Sequence, residues 1–154
     1  MERNSGEFVT MEGGGRADGV NLGGSGYGAS KAGIGHFSEG LAREVEIKGS
    51  AVVAFCIDPG VGRTAMAEGT AVHPIGREWQ GFVGDWIAAG QGVPRDACAR
   101  ATIRLLEVVR PDLSGGTFSV AADFSEVAAH TIAIREKDLR VMRLRGRILE
   151  ERDG

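Results

Sequence analysis

Long apolar runs are missing from this chain. Across 154 residues no stretch approaches the ~20 needed to span a bilayer, and Met1-Glu2-Arg3-Asn4-Ser5-Gly6 has no signal-peptide core. The expectation is therefore a cytoplasmic protein with no membrane partner. Cysteine is nearly absent too. Cys56 and Cys98 lie among apolar neighbours, with neither metal-ligand spacing nor a disulfide framework, and both read as buried, reduced and inert. His36, His73 and His130 share no spacing that suggests a metal and read as surface or helix residues. No single charge sign dominates: the net charge of -3 is spread without a basic face, which argues against nucleic acid. The Arg-rich stretch from Arg140 to Arg147 reads as a solvated tail.

Glycine is in excess, with 25 residues, and the first third is densest. Between Gly13 and Gly28 there is almost no apolar periodicity, so that stretch reads as a loop. The resulting division is a poorly ordered Gly-rich segment over 1–26 with a short strand at 7–11, a folded region over 27–145, and a charged tail over 146–154, expected to be disordered. An overall composition of 42% hydrophobic and 25% charged residues suits one globular domain with a real core.

After Tyr27 the pattern becomes regular. Ala32, Ile34, Phe37, Leu41 and Val45 fall on one helical face, predicting a helix to about Ile47 that Lys48-Gly49 stops. Ser50 to Ile57 is a nearly continuous apolar run of the kind buried on both faces of a parallel sheet. Helix followed by such a strand implies an α/β layer. Pro59-Gly60 ends the strand where open parallel sheets place their ligands, with Thr64 just beyond. From Ala65 to Val93 the chain reads as irregular, a Gly-punctuated lid or binding loop. In it Trp79, Phe82 and Trp86, spaced three and four apart, form either one face of a short substrate-covering helix or ordinary core packing. A helix over 95–109 and a short strand over 117–121 follow.

Tyr27-Gly28-Ala29-Ser30-Lys31 carries the most chemistry. A Tyr and a Lys four apart share a helix face, so an ammonium can sit near the phenol oxygen. A phenol that works near neutral pH needs its ionisation eased by about 3 to 4 kcal/mol relative to a free tyrosine. One cation at ~4 Å and an effective dielectric of ~20 supplies about that.

Tyr-x-x-x-Lys with Ser before the Lys, followed by helix, strand, Pro-Gly and Thr, resembles the short-chain dehydrogenase/reductase family. The resemblance runs from about Gly6 onward, through the Leu113-Ser114-Gly115-Gly116 turn and the segment after Asp123, and corresponds to the C-terminal half of such an enzyme. It implies a partial Rossmann-like, doubly wound parallel sheet. It also implies hydride transfer between NAD or NADP and a carbonyl or alcohol substrate, and a homo-oligomer in the full-length form. By resemblance Tyr27 is the acid/base; Lys31 assists it and holds the nicotinamide ribose; Pro59, Gly60 and Thr64 line the nicotinamide side of the cofactor.

Several family parts have no counterpart. The Gly-rich phosphate loop, the Asn-Asn-Ala-Gly turn and a relay Asn would lie upstream. The hydroxyl expected about thirteen residues before the Tyr is replaced by Glu12-Gly13-Gly14-Gly15, and neither Thr10 nor Ser25 is assigned its role. Gly24-Ser25-Gly26-Tyr27-Gly28-Ala29 fits a loose dinucleotide fingerprint, but no buried strand leads into it, and such a loop needs one. The chain alone is therefore expected to be inactive. The alternative is a noncatalytic interaction module built on the Ser30 to Ile47 helix and the C-terminal strand, or a fragment without function of its own.

Overall fold

A computed structural model describes residues 4–13, 20–108, 110–137 and 139–142. The expected disorder of the tail from 146 onward and of positions 14–19 lies outside the described residues, as does most of the Arg140 to Arg147 stretch. The fold is α/β. Three parallel strands, β1 (Ser5–Met11), β2 (Ala51–Asp58) and β3 (Thr117–Ser119), form a sheet in the order β1-β2-β3.

β2 is central because it alone can tolerate burial on both faces. Val53 to Ile57 are all buried, as the continuous apolar run demanded. Fully burying each large member contributes about 1.5–3 kcal/mol. Val53, Phe55 and Ile57 join one core cluster with Phe118 of β3, with Ala101 and Leu105 of α5 (Ala97–Val108), and with Phe124, Val127 and Ile134 from the two C-terminal helices. Ala54 and Cys56 alternate to the opposite face, towards α1 (Ser25–Ile47).

α1 meets the sheet differently from the expectation. Its buried residues are Gly28, Gly35, Ser38 and Ala42, whereas Phe37 is exposed. Small residues at three-, four- and seven-residue spacing let the helix lie close to the small Ala54 and Cys56 side chains. The Ser38 hydroxyl completes the contact, donating to Ile34 O at 3.0 Å and standing 2.6 Å from Thr10 Oγ1 of β1. α1 also starts at Ser25, so Gly26, Tyr27 and Gly28 are helical and not part of the preceding loop. Cys98 is a second correction: it is only half-buried, and its sulfur lies 4.0 Å from that of Met11.

The segment from Ala65 to Val93 is not irregular. It holds three short helices, α2 (Ala65–Val72), α3 (Pro74–Trp79) and α4 (Gly81–Ala88). Glycines that read as breakers are here contact points: a Cβ on Gly76 would run into the Thr70 backbone, and one on Gly84 would stand 3.7 Å from Ala71 Cβ. The polar starts help as well. Thr64 caps α2, and the His73 ring accepts from Ile75 N ahead of Pro74, which suits a first helical turn. Trp79 closes α3 while Phe82 and Trp86 belong to α4, so the three aromatics do not share one helix. All three remain exposed, which overturns the core-packing alternative. Among the described residues no helix is long and apolar enough to cross a membrane.

The helical excursion makes a paired prediction. Gly69→Ala, with nothing near the added Cβ, should stabilise the protein by about 0.5–1 kcal/mol through helix propensity. Gly76→Ala should destabilise it by about 1–3 kcal/mol through backbone displacement. Urea unfolding of both variants beside the parent checks the opposite signs.

Candidate active site

The residues singled out by sequence converge at the carboxyl ends of β1 and β2. Gly13 lies two residues past β1, and a Cβ there would overlap the Tyr27 hydroxyl. The glycine is thus what lets the phenol oxygen rest against the backbone. Lys31, one turn further along α1, donates from Nζ to Met11 O at 3.4 Å, and this nitrogen is 5.7 Å from the Tyr27 ring centroid. Tyrosine, lysine and the end of β1 therefore form one group. Ser30 turns back, its hydroxyl donating to Tyr27 O at 2.7 Å.

On the neighbouring strand, Asp58 Oδ1 accepts from Gly60 N at 3.0 Å and closes the turn after β2. Gly60 has φ +65, a left-handed conformation that a side chain would strain. Pro59 and Gly60 are thereby held at the same end of the sheet as Tyr27, because Met11 pairs with Ile57. Thr64 acts locally, its Oγ1 accepting from Ala67 N at 3.3 Å. The hydroxyl expected to meet a cofactor is engaged as a helix cap.

The excursion returns beside this group. Gly62 bridges to Val93, so the three helices leave and re-enter at one point. At their far side Gln80 Nε2 donates to Asn21 Oδ1 at 2.6 Å and to Leu22 O at 2.9 Å. Trp79 lies against Gly23, leaving no space for a side chain there. The turn that leads into the Tyr27 helix is therefore pinned by the α3–α4 junction. Sequence reasoning missed this link; an Asn and a Gln 59 positions apart give no local signal.

Neither hydroxyl near the expected Ser position reaches Tyr27. Thr10 Oγ1 is engaged with Ser38 between helix and sheet. Ser25 lies two residues before Tyr27 on the same helix, a spacing that points the side chains apart. The dinucleotide-like glycines start α1 directly from the Asn21–Gly24 turn, where Gly24 N donates to Asn21 O, and the described residues 20–24 before it hold no strand. Among the described residues no group of three or more His, Cys, Asp or Glu is placed to hold a metal.

A cleft of about 230 Å³ lies at the opposite end, between the later part of α1 and the Pro111–Leu113 turn. Arg135 spans it, reaching Glu46 at 2.6 Å and Asp112 at 3.4 Å, while Arg43 holds the other Glu46 oxygen at 2.6 Å. Hydrogen bonds from Arg43 and then Arg135 keep the Glu46 carboxyl below its ordinary value. This is an exposed structural clamp. No family model matches the sequence, and no curated protein or solved structure matches it either.

Two outcomes test these roles. Thr64→Ala should cost about 1 kcal/mol by loss of the cap, with Thr64→Ser restoring most of it in urea unfolding. For Glu46, a folded-state pKa below the unfolded one means the stabilisation is present above the unfolded value and disappears as pH falls through the folded one. Glu46→Gln should therefore flatten the acid limb of stability against pH, measured by thermal unfolding across a pH series.

Proposed function

We propose that this chain carries the acid/base half of a short-chain NAD(P)-dependent oxidoreductase, with a doubly wound sheet of which these three strands are one side. The supporting observation is the seating of the Tyr27 phenol against the Gly13 backbone, with Lys31 one turn on, at the carboxyl end of β1. Ligands of open parallel sheets bind outside those ends.

The residues present fit one end of a nicotinamide cofactor. Lys31 offers a half-buried cation and Tyr27 a hydroxyl for a ribose, with Pro59, Gly60 and Thr64 across the strand ends. For the phosphate end no such partner stands among the described residues, where the glycines at Gly24 to Gly28 begin a helix directly after the Asn21–Gly24 turn. The bound cofactor would supply the hydride. Tyr27 gives a proton to the oxygen of a carbonyl substrate, or takes one from an alcohol. Lys31 favours the phenolate by its charge. General acid/base action of this kind contributes about 10²–10⁴ in rate. The exposed Trp79, Phe82 and Trp86, in the helices pinned to the turn before α1, form an apolar cover for the substrate.

A noncatalytic interaction module is the second reading, favoured by the apolar side chains exposed along β1 and by the engagement of the Thr64 hydroxyl in a cap. The two are separated as follows. DNA upstream of the Met1 codon should encode a strand followed by Thr-Gly-x-x-x-Gly-x-Gly. In the longer protein it specifies, Tyr27→Phe should lower turnover by about 10²–10⁴ while cofactor affinity is retained. Unchanged turnover rejects the assignment. The 154-residue chain itself should show no saturable micromolar binding of NADH or NADPH by fluorescence.

A further inference from the structure

The turn of α1 that carries Tyr27 has little of its own to hold it. Gly24 occupies the N-cap position, no side chain among the described residues caps the helix, and the first turn, Ser25 to Gly28, contains no acid. Gly26 and Gly28 are poor helix formers on either side of Tyr27. A helix end with orphaned N–H groups and such residues frays unless something outside the helix restrains it.

The restraint comes from the α3–α4 junction. Gln80 is at once the C-cap of α3 and the N-cap of α4. A short oxygen-bearing side chain suits an N-cap best, yet the Gln80 side chain makes no cap hydrogen bond to α4. Its amide turns away from both helices, Nε2 donating to Asn21 Oδ1 at 2.6 Å and to Leu22 O at 2.9 Å. The two hydrogens of one amide nitrogen are thus spent on two oxygens of the turn before α1.

Neighbouring groups close the same turn. Gly23 has φ +69 and lies against Trp79, the residue before Gln80. A Cβ on Gly24 would stand 2.8 Å from Asn21 Oδ1, so the oxygen that accepts from Gln80 also rests on the residue that starts the helix. Gly24 O in turn accepts from Gly28 N at 2.9 Å, the bond that closes the first turn of α1. Tyr27 lies within its span. Any movement of the turn therefore moves the phenol relative to Gly13, against which it is seated.

We propose that Gln80 is a positioning residue for Tyr27: its amide takes the place of a side-chain cap and joins the α2–α4 excursion to the first turn of α1. The inference rests on the oxidoreductase reading only in what the phenol is positioned for. Trp79, Gln80 and Phe82 fall within four consecutive residues, and both rings are exposed. A substrate that settles on these rings loads the same junction that holds the turn. A ligand favouring the docked junction thereby favours the ordered first turn, and occupancy of the cover is passed to Tyr27.

The test uses the 154-residue chain, in which Tyr27 is the single tyrosine. Labelling with fluorotyrosine gives a fluorine signal from this ring alone, and hydrogen exchange at the Gly28 amide reads opening of the first turn. Gln80→Glu keeps the side chain's size but sets a carboxylate against two acceptor oxygens. It should raise exchange at Gly28 about tenfold or more and move the fluorine resonance towards that of the unfolded chain. Exchange in β2, which reads global unfolding, should rise far less. Gln80→Met, similar in length and without a donor, should act in the same direction. Gln80→Lys, which restores a donor of similar reach, should recover most of both signals. The control is Asp123→Ala, which lowers overall stability by removing the acceptor of Ser125 N and Glu126 N at the start of α6 (Phe124–Ala129). It should leave the Tyr27 resonance in place. Unchanged Gly28 exchange in Gln80→Glu and Gln80→Met, an equal rise in β2, no recovery with Gln80→Lys, or the same fluorine shift in Asp123→Ala would each overturn the proposal. None of these readouts is turnover, so they stand or fall separately from hydride transfer by a longer chain.

Discussion

The burial of β2 on both faces and along both edges is the constraint from which the rest of the structure follows. A strand with no solvent-facing side needs a pairing partner on each side and a helical layer above and below. β1 and β3 supply the first, α1 and α5 the second. Parallel pairing then aligns the carboxyl ends of β1 and β2, and α1 starts near that level. Tyr27, Lys31, Pro59 and Gly60 share one end of the molecule because a central hydrophobic strand requires this layering. The clamp formed by Arg43, Glu46, Asp112 and Arg135 ties the opposite end together.

Close approach of backbones is the second organising feature. α1 reaches the sheet through Gly28, Gly35, Ser38 and Ala42, and Gly13 makes room for a phenol oxygen. Gly76 lets α3 meet the end of α2. The glycine excess therefore does two different things. Around the site it creates tight packing, while at Gly60 it permits a left-handed turn that directs the chain away from β2.

The Tyr27–Lys31 group is better provided for than its surroundings. Its helix is long, its turn is pinned through Asn21 and Gln80, and its phenol is seated. Yet the Lys31 ammonium is hydrogen-bonded to Met11 O, and the Thr64 hydroxyl is occupied in a cap. Beyond β1 the sheet presents exposed Phe8, Val9 and Met11 where a wall would otherwise stand. The Tyr27–Lys31 group at the strand ends and the exposed apolar side chains of β1 are consequences of the same three-stranded layout.

The central strand, the long helix and the position of Tyr27 beside Lys31 were legible in the sequence, because continuous apolar runs and four-residue spacing are local signals with a single geometric meaning. Helix α5 and the short β3 were legible for the same reason. The α2–α4 helices were not. Their glycines have low local helix propensity, and only contact with neighbouring helices turns that weakness into a packing advantage. Nor did periodicity reveal that α1 buries its small residues and exposes Phe37, since the identity of the buried face depends on how small Ala54 and Cys56 are across the interface. Local patterns in the chain thus dictate its main strand and helices and the placing of Tyr27 and Lys31 on one helix face. That Thr10 serves the helix–sheet contact and that Gln80 pins the turn before α1 came only from the folded arrangement, because each depends on partners tens of residues away.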